Sequence, residues 1–582
     1  MKIFVHGTLA AAVLVAISGT AQADTFQFTE IETPENLRNL LPAAINNSGQ
    51  VAAVGRFPQD IEIRPEWITA EMRRQVGIPL DTEDEVVESI TDAQYNRLIP
   101  LLEDRFNSNL RNQRIGTNRA IISNGTTEVL QFFNDTDPAT PELENAVESA
   151  FYQVNENGVY VGYGSAPYRP LVHTYTTEVD GEEVETEETF FERDFISRGV
   201  WYWDGQLKTV EPPEQAQLGG ESAILDINEN NLAVGYASVG VSPSAQEDID
   251  NCTEETDAIE TRPDYACVWN LWYQRQGSLI TYLRSSQFDR TEITGNNSIY
   301  DVHAYMWQLD ANGDVISATD LGTLGERDDA EDDLDYSSYA YAVNNNGIAV
   351  GQSWTYYNGN KDIRVKMPVY FQDGEALPIT LDERYRWGAA VDINDNNLVV
   401  GYVKRLVSDT LRDVPFMYDL DSAEPELVEL DSFFIGSAAV VTAVNNSGVV
   451  VGSAEVEGTI SGNRRRAGFM MDTTADTMEM INLNDTIRCD TDYFIVSAED
   501  INDDGQVVAT ALVNVTYTDE NGNEQIRTDT KTLKLDPTGG EVNNCQQEQG
   551  LVERSGASTG LFSVFGMLLI GGLITIRRKL FN

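Results

Sequence analysis

One pattern of apolar and polar positions recurs along the chain: an apolar residue and an Asn, a short polar turn, then an apolar run that mostly closes on Gly. It is written at Ile45-Asn46 to Val51, Val154-Asn155 to Gly162, Ile227-Asn228 to Gly235 and Val343-Asn344 to Gly351. It returns at Ile393-Asn394 to Gly401, Val444-Asn445 to Gly452 and Ile501-Asn502 to Ala509. Three residues after each Asn stands Gly or Asn (Gly49, Gly158, Asn231, Gly347, Asn397, Gly448, Gly505), the two types that best accept the positive φ of a tight hairpin turn. Each copy therefore predicts strand, turn, strand. The second strand is apolar throughout, as expected of one covered on both faces, and its Gly predicts close approach of a neighbouring backbone.

A second paired signal follows the hairpin. Met367 to Phe371 with Leu377 to Leu381, Pro415 to Tyr418 with Leu427 to Leu430, and Ala467 to Met470 with Met478 to Leu483 read as two further strands around a turn. Units of four strands whose asparagines lie 50, 51 and 57 residues apart (394−344, 445−394, 502−445) predict an all-β chain folded as a β-propeller. A β-helix needs shorter coils, and a sandwich does not repeat. Seven four-stranded blades are expected, or eight if Ile293 to Ile299 belongs to a degenerate one. Thr25 to Ile31 alternates apolar and polar residues and precedes the first hairpin, while the last unit, after Thr532 to Leu535, lacks a fourth strand. The N-terminal strand is therefore expected to complete the last blade, since closing the ring removes exposed sheet edges.

Two spacings break the rhythm. Asn46 and Asn155 are 109 positions apart, and the excess holds Pro65 to Val76 and Asp92 to Leu110, whose Pro start and i, i+3, i+4 apolar spacing predict helices. Residues 57–117 are thus a helical insertion in the first blade. Asn228 and Asn344 are 116 apart, and residues 237–302 read as an irregular insertion or a degenerate blade. Since the repeat builds the ring, function is sought in residues 57–117, 164–197 and 237–302.

Composition narrows the partners. Of 582 residues, 94 are acidic and 39 basic, a net charge of −55, which excludes a nucleic-acid phosphate backbone as ligand and predicts a strongly solvated surface that tolerates divalent cations or basic partners. The ends read as addresses. Lys2, the apolar run Thr8 to Ile17 and the small residues Ala21 and Ala23 predict a signal peptide over residues 1–23, cut between Ala23 and Asp24. The propeller then occupies residues 24–550. Over 551–582, small and polar Ser555 to Gly560 lead into apolar Leu561 to Ile576 and then Arg577, Arg578 and Lys579, a transmembrane anchor with its positive charge kept in the cytoplasm. At about 1.5 Å per residue its apolar run reaches about 24 Å, short of the usual span of about 30 Å. Four cysteines in an exported chain predict two disulfides. Three pairings are open; Cys252 with Cys267 and Cys489 with Cys545 are preferred.

The ending resembles the tripartite GlyGly-CTERM sorting signals of Gram-negative bacteria, although no Gly-Gly pair stands at the cut. That resemblance implies a rhomboid-type protease as partner beside the export machinery, and a cell-surface or extracellular address. His303-Ala304-Tyr305-Met306-Trp307, Asp320-Leu321-Gly322-Thr323-Leu324-Gly325 and the Val343-Asn344 hairpin together resemble the HAF-type extracellular repeat, with Tyr in place of Phe, and Leu218 to Ala223 echoes the same unit. This resemblance implies a secreted, propeller-like bacterial protein of a family without assigned function, and it carries no catalytic residues.

Candidate chemistry is sparse. Asp500, Asn502, Asp504 and Gly505 match the opening of a calcium loop, but Ala511 stands where its closing Glu belongs. Calcium at Asp500, Asn502 and Asp504 is weighed against a turn-forming role for the shared Asn and Gly. The acidic run Glu326 to Asp335 reads as a solvated loop, His303 as a strand residue, and Trp201, Trp203, Trp269, Trp272 and Trp354 as strand residues packed between blades, or as the lining of a sugar groove. The letters GxSxG occur at Gly556 to Gly560, in the small-residue stretch before the apolar tail and not in a strand-to-helix elbow, and no phosphate-loop or HExxH motif occurs. Two readings remain: an exported binding or adhesion module for a glycan or protein, and a secreted polysaccharide hydrolase or lyase with carboxylates in the propeller funnel. The dearth of catalytic motifs favours the first.

Overall fold

The computed structural model describes residues 25–542 apart from 59–60, 79–89, 104–108, 134–145, 180–181, 254–260, 285–297, 329–331, 362, 409, 459–463, 519–521 and 541. The expected signal peptide, Cys545 and the C-terminal anchor lie outside the described residues. Seven four-stranded antiparallel sheets form the blades of a β-propeller. Their inner strands are Leu37–Ile45, Ser149–Val154, Ser222–Ile227, Ser338–Val343, Tyr385–Ile393, Ala439–Val444 and Phe494–Ile501, numbered here as blades 1 to 7. The seventh blade takes its outer strand from the N-terminus: Phe26–Ile31 pairs with Glu524–Pro537 from Phe26 opposite Pro537 to Ile31 opposite Thr532. First and last segments of the chain thus share one sheet, which ties the two ends of the ring together.

Each repeat forms the predicted inner hairpin. The turn residues Gly49, Gly158, Asn231, Gly347, Asn397, Gly448 and Gly505 all have positive φ, between 56° and 81°. Every inner strand also carries a β-bulge three residues before its Asn, at Ala43, Tyr152, Leu225, Tyr341, Val391, Thr442 and Glu499. The bulged strand presses a carbonyl onto its partner. A Cβ on Gly351 would lie 1.8 Å from the Tyr339 carbonyl oxygen, and one on Gly162 1.9 Å from that of Ala150. The close approach expected of the repeat Gly is therefore real. Blades 1 and 7 hold Ala53 and Ala509 at the same place.

Apolar faces of adjacent blades interleave to make the core. Val369, Phe371, Ala390, Val399 and Phe416 join blades 4 and 5 in one buried cluster, and Val400, Ala439, Val450 and Phe469 join 5 and 6. Trp201 and Trp354 are fully buried strand residues, as expected, and so is Trp307.

The insertions leave the ring on one side. Between the second and third strands of blade 1 lie α1 (Ala70–Val76) and α2 (Asp92–Leu102); α1 is capped by Thr69, and α2 has a Thr91–Gln94 capping box. Blade 2 inserts the hairpin Arg169–Val179 with Glu182–Glu192. Blade 3 inserts α3 (Pro243–Thr253) and α4 (Asp264–Arg284), joined by the Cys252–Cys267 disulfide. The described residues of 237–302 therefore supply helices, and the described sheets number seven; most of Ile293 to Ile299, the stretch weighed for a degenerate eighth blade, lies outside the described residues. Trp269 and Trp272 lie on α4 instead of a strand; the flanking apolar run misleads because buried helix and buried strand look alike over six residues. Cys489 is disulfide-bonded as well. In an antiparallel blade, connections from second to third strand emerge at the end opposite the inner hairpin turns. One end of the ring thus carries repeated turns and the other carries the insertions.

Candidate functional site

At the turn end, the repeat asparagines form a closed circle. Each is buried, and its Nδ2 donates to the backbone carbonyl of the next Asn: Asn46 to Asn155, to Asn228, Asn344, Asn394, Asn445, Asn502 and back to Asn46, at 2.9–3.1 Å. Each Oδ1 accepts the N–H four residues on, for example Ile348 to Asn344 at 3.0 Å and Leu398 to Asn394 at 3.0 Å. One amide side chain closes its own turn and ties it to the next blade, which no other residue of that size does.

The following residue builds a second, exposed circle. The N–H groups of Asn47, Glu156, Glu229, Asn345, Asp395, Asn446 and Asp503 each donate to a side-chain oxygen of the next member, at 2.7–3.0 Å. Asn, Asp and Glu alternate there because only a side-chain acceptor is required. Sequence reasoning missed this circle, although an acceptor type follows every repeat Asn.

Three carboxylates sit two residues before the Asn. Asp226 accepts from the Val343 N–H (2.7 Å), Asp392 from Val444 (2.7 Å) and Asp500 from Ile45 (2.8 Å), so each reaches forward to a blade that carries Ala at the same position (Ala342, Ala443, Ala44). Burial, reinforced for Asp392 by Asp226 and Asp500 and for Asp226 by Asp500, pushes Asp392 up to about 8 and Asp226 up to about 6; burial also lifts Asp500 to about 6. With Gln153 and the Asn circle they line an axial funnel of about 170 Å³. Of the residues weighed for calcium, Asp500 turns its oxygens to Ile45 and Ile501, Asn502 faces Asn46 and Gln506, and Asp504 is exposed. Among the described residues, no group of three or more His, Cys, Asp or Glu side chains has metal-holding geometry.

Deeper along the axis the wall is lopsided. Bulge residue Tyr152 keeps 37% of its surface accessible and stacks on Tyr163 at 5.7 Å, Tyr236 meets Tyr339 edge-on at 5.4 Å, and Tyr339 stacks on Tyr341 at 6.4 Å. Blades 5 and 6 have only Val391 and Thr442 at the bulge. Burial, with Glu221 close by, holds the Tyr236 and Tyr339 hydroxyls well above their usual range.

At the opposite end the three insertions pack into one cap. Trp67 of the first meets Phe191 of the second at 5.3 Å, and Arg114 lies 4.5 Å over Trp269 of the third and 5.1 Å over Tyr168. Arg193 covers Tyr168 and Trp272 at 4.9 and 5.6 Å, and Arg111 pairs with Glu188 at 2.8 Å. Between cap and ring, burial raises Glu221 to about 7 despite the Trp272 indole and Arg193 nearby. Burial likewise lowers Lys366, 4.6 Å over the Tyr339 ring, to about 8 against the pull of Asp335.

The acidic run is not simply solvated. Asp332 and Asp335 are buried, Asp335 accepts from Ser337 (2.9 Å) and Trp354 Nε1 (3.3 Å), and Asp328 pairs with Lys361. His303 contacts Asp320 at 2.9 Å across the third and fourth strands of blade 3. Trp203 is 42% exposed beside a hollow of about 600 Å³ walled by Glu128, Glu156 and Asp204.

Residues 5–579 match the family described as protein of unknown function (DUF3466). No curated protein matches the chain.

Proposed function

We propose, since the chain belongs to this family of unknown function, that it is an exported binding module that takes its ligand on the insertion-bearing end of the propeller. The observation that carries this reading is the cap. Features that recur in all seven blades serve ring closure, whereas three insertions from consecutive blades, locked by Arg114 between Tyr168 and Trp269, serve something that is not sevenfold. The segment 1–23 and the Cys252–Cys267 bond support export to an oxidising compartment of a Gram-negative cell. The HAF-type motifs and the tail at 551–582 support display at the surface, with a rhomboid-type protease as processing partner.

A second reading, a polysaccharide hydrolase or lyase, draws on Glu221 at about 7 and Lys366 at about 8 beneath the cap, values suited to proton transfer near neutrality. Both readings meet one experiment: the full chain on a glycan and peptide array, with and without calcium, followed by hydrogen exchange on any bound pair. Protection on the cap and on the connections at its end supports the binding reading. Protection confined to the inner hairpin turns refutes it, turnover of the bound sugar installs the second reading, and a calcium requirement revives Asp500, Asn502 and Asp504.

A further inference from the structure

We propose that a hollow at the insertion-bearing end of blade 5 is a subsite for the carboxylate or sulfate groups of an acidic oligosaccharide. It rests on the reading of the insertion-bearing end as the binding end. Tyr385 opens the inner strand of blade 5 and Arg405 lies near the close of its second strand, Leu398–Val407, which places both at that end.

The hollow measures about 560 Å³ and is lined by Arg384, Arg386 and Arg405 with Glu429 as its one acid. In a chain with 94 acidic and 39 basic residues, three guanidiniums around one cavity invert the local sign. The hollow beside Trp203 is of similar size, about 600 Å³, and its charged walls are all carboxylates.

Glu429 is already satisfied. It takes Arg405 Nε at 2.8 Å and Nη2 at 2.6 Å, together with the Tyr385 hydroxyl at 3.0 Å, so the floor is a neutral, rigid pair. Two cations remain for a ligand. Arg386 stacks 4.9 Å over Tyr357 and forms no ion pair among the described residues. Arg384 stacks 4.8 Å over Tyr385 and reaches Asp382 at 3.1 Å, a contact between two exposed side chains and so of little worth. A guanidinium laid on an aromatic face keeps its N–H edge free for bidentate acceptors.

The adjoining space selects a sugar. A second hollow of about 220 Å³ shares Tyr385 and adds Tyr356, Tyr357, Asn358 and exposed Leu381. Aromatic edges and an amide beside paired cations suit a pyranose chain that presents apolar ring faces and a repeating anion. A protein partner would rely on a deep apolar anchor pocket, and the large apolar side chains exposed around the two hollows are Leu381 and Leu406.

The test is calorimetric titration of the full chain with four probes of matched length: an oligogalacturonate, a sulfated galactan, a neutral glucan and polyglutamate. An acidic sugar is expected to bind and the glucan not, and comparison of the first two probes tells carboxylate from sulfate. The R384A/R386A variant, which alters one exposed and one half-buried side chain and whose melting is compared with the parent's, is expected to weaken acidic-sugar binding by about tenfold or more; R386K should recover only part, because it restores charge without the planar fork. Unchanged affinity in the double variant overturns the proposal, as does polyglutamate binding as tightly as the sugars. If other array ligands protect the insertion-bearing end while acidic sugars do not bind, this inference fails and the broader reading stands; if nothing binds, both fail.

Discussion

The two ends of the ring solve opposite problems. At the turn end, seven asparagines and their seven neighbours repeat one hydrogen-bond arrangement in chain order. At the insertion end nothing repeats: α1 and α2, a long hairpin, and the α3–α4 pair come from three adjacent blades and meet over one sector. The contrast teaches that cooperativity of the ring is concentrated at one end, which leaves the other free to carry irregular structure. A cap held by cation–π stacking and one disulfide can vary without opening a blade seam.

The largest expected effect comes from breaking the circle. Asn394→Ala removes a donor to Asn445 and acceptors for Asn396 and Leu398, leaving buried groups unpaired, and should cost about 3–5 kcal/mol; denaturant titration reads this as a lowered midpoint. If the loss is under about 1 kcal/mol, the turn end does not hold the ring.

Removing the disulfide by C252S/C267S should cost on the order of 3 kcal/mol for a loop of this length, but locally. Proteolysis and hydrogen exchange should then show α3 and α4 opening while the inner hairpins stay protected. Loss of protection throughout would merge the two ends into one cooperative unit.

The buried carboxyls make the turn end sensitive to pH. Asp392 at about 8 and Asp226 and Asp500 at about 6 exceed their ordinary value of 3.8, so the folded ring holds protons that the unfolded chain releases. Stability from these groups is therefore fully present below about pH 4 and is lost as pH rises through 6 to 8. Asp392→Asn keeps one oxygen to accept from Val444 or Ile393, gives up the other and cannot ionise; whatever it costs at low pH, it should reduce the loss between pH 6 and 9 by about 1–3 kcal/mol. Parallel melting curves for variant and parent across that window would sink the assignment.

The smallest effect belongs to the outer circle. Asn446→Ala deletes exposed bonds to Asp395 and Asp503 and should change stability by about 0.5 kcal/mol; a loss comparable to that of Asn394→Ala would show that solvent does not compete there.

Blade number, the hairpin turns, the Gly contacts and the closure by Phe26–Ile31 were legible because they are local or repeated. Turn φ depends on the residue itself, and seven copies average away accidents. Less visible were the side-chain acceptors after each Asn, whose use requires a neighbouring blade at the right distance. The helical nature of α4 was hidden by a short apolar run whose period is ambiguous.

Residue order alone therefore settled what short-range sterics and periodicity control: all-β class, four strands per unit and strong net negative charge, with seven units expected and eight left open. Tertiary structure decided what depends on groups far apart in the chain. It turned Asn46 and Asn502, 456 residues apart, into neighbours, raised Asp392 by enclosing it with Asp226 and Asp500, and gathered Arg384, Arg386 and Arg405 around one hollow. Burial and charge act through space, and in a closed ring those spatial neighbours are set by the geometry of the seams.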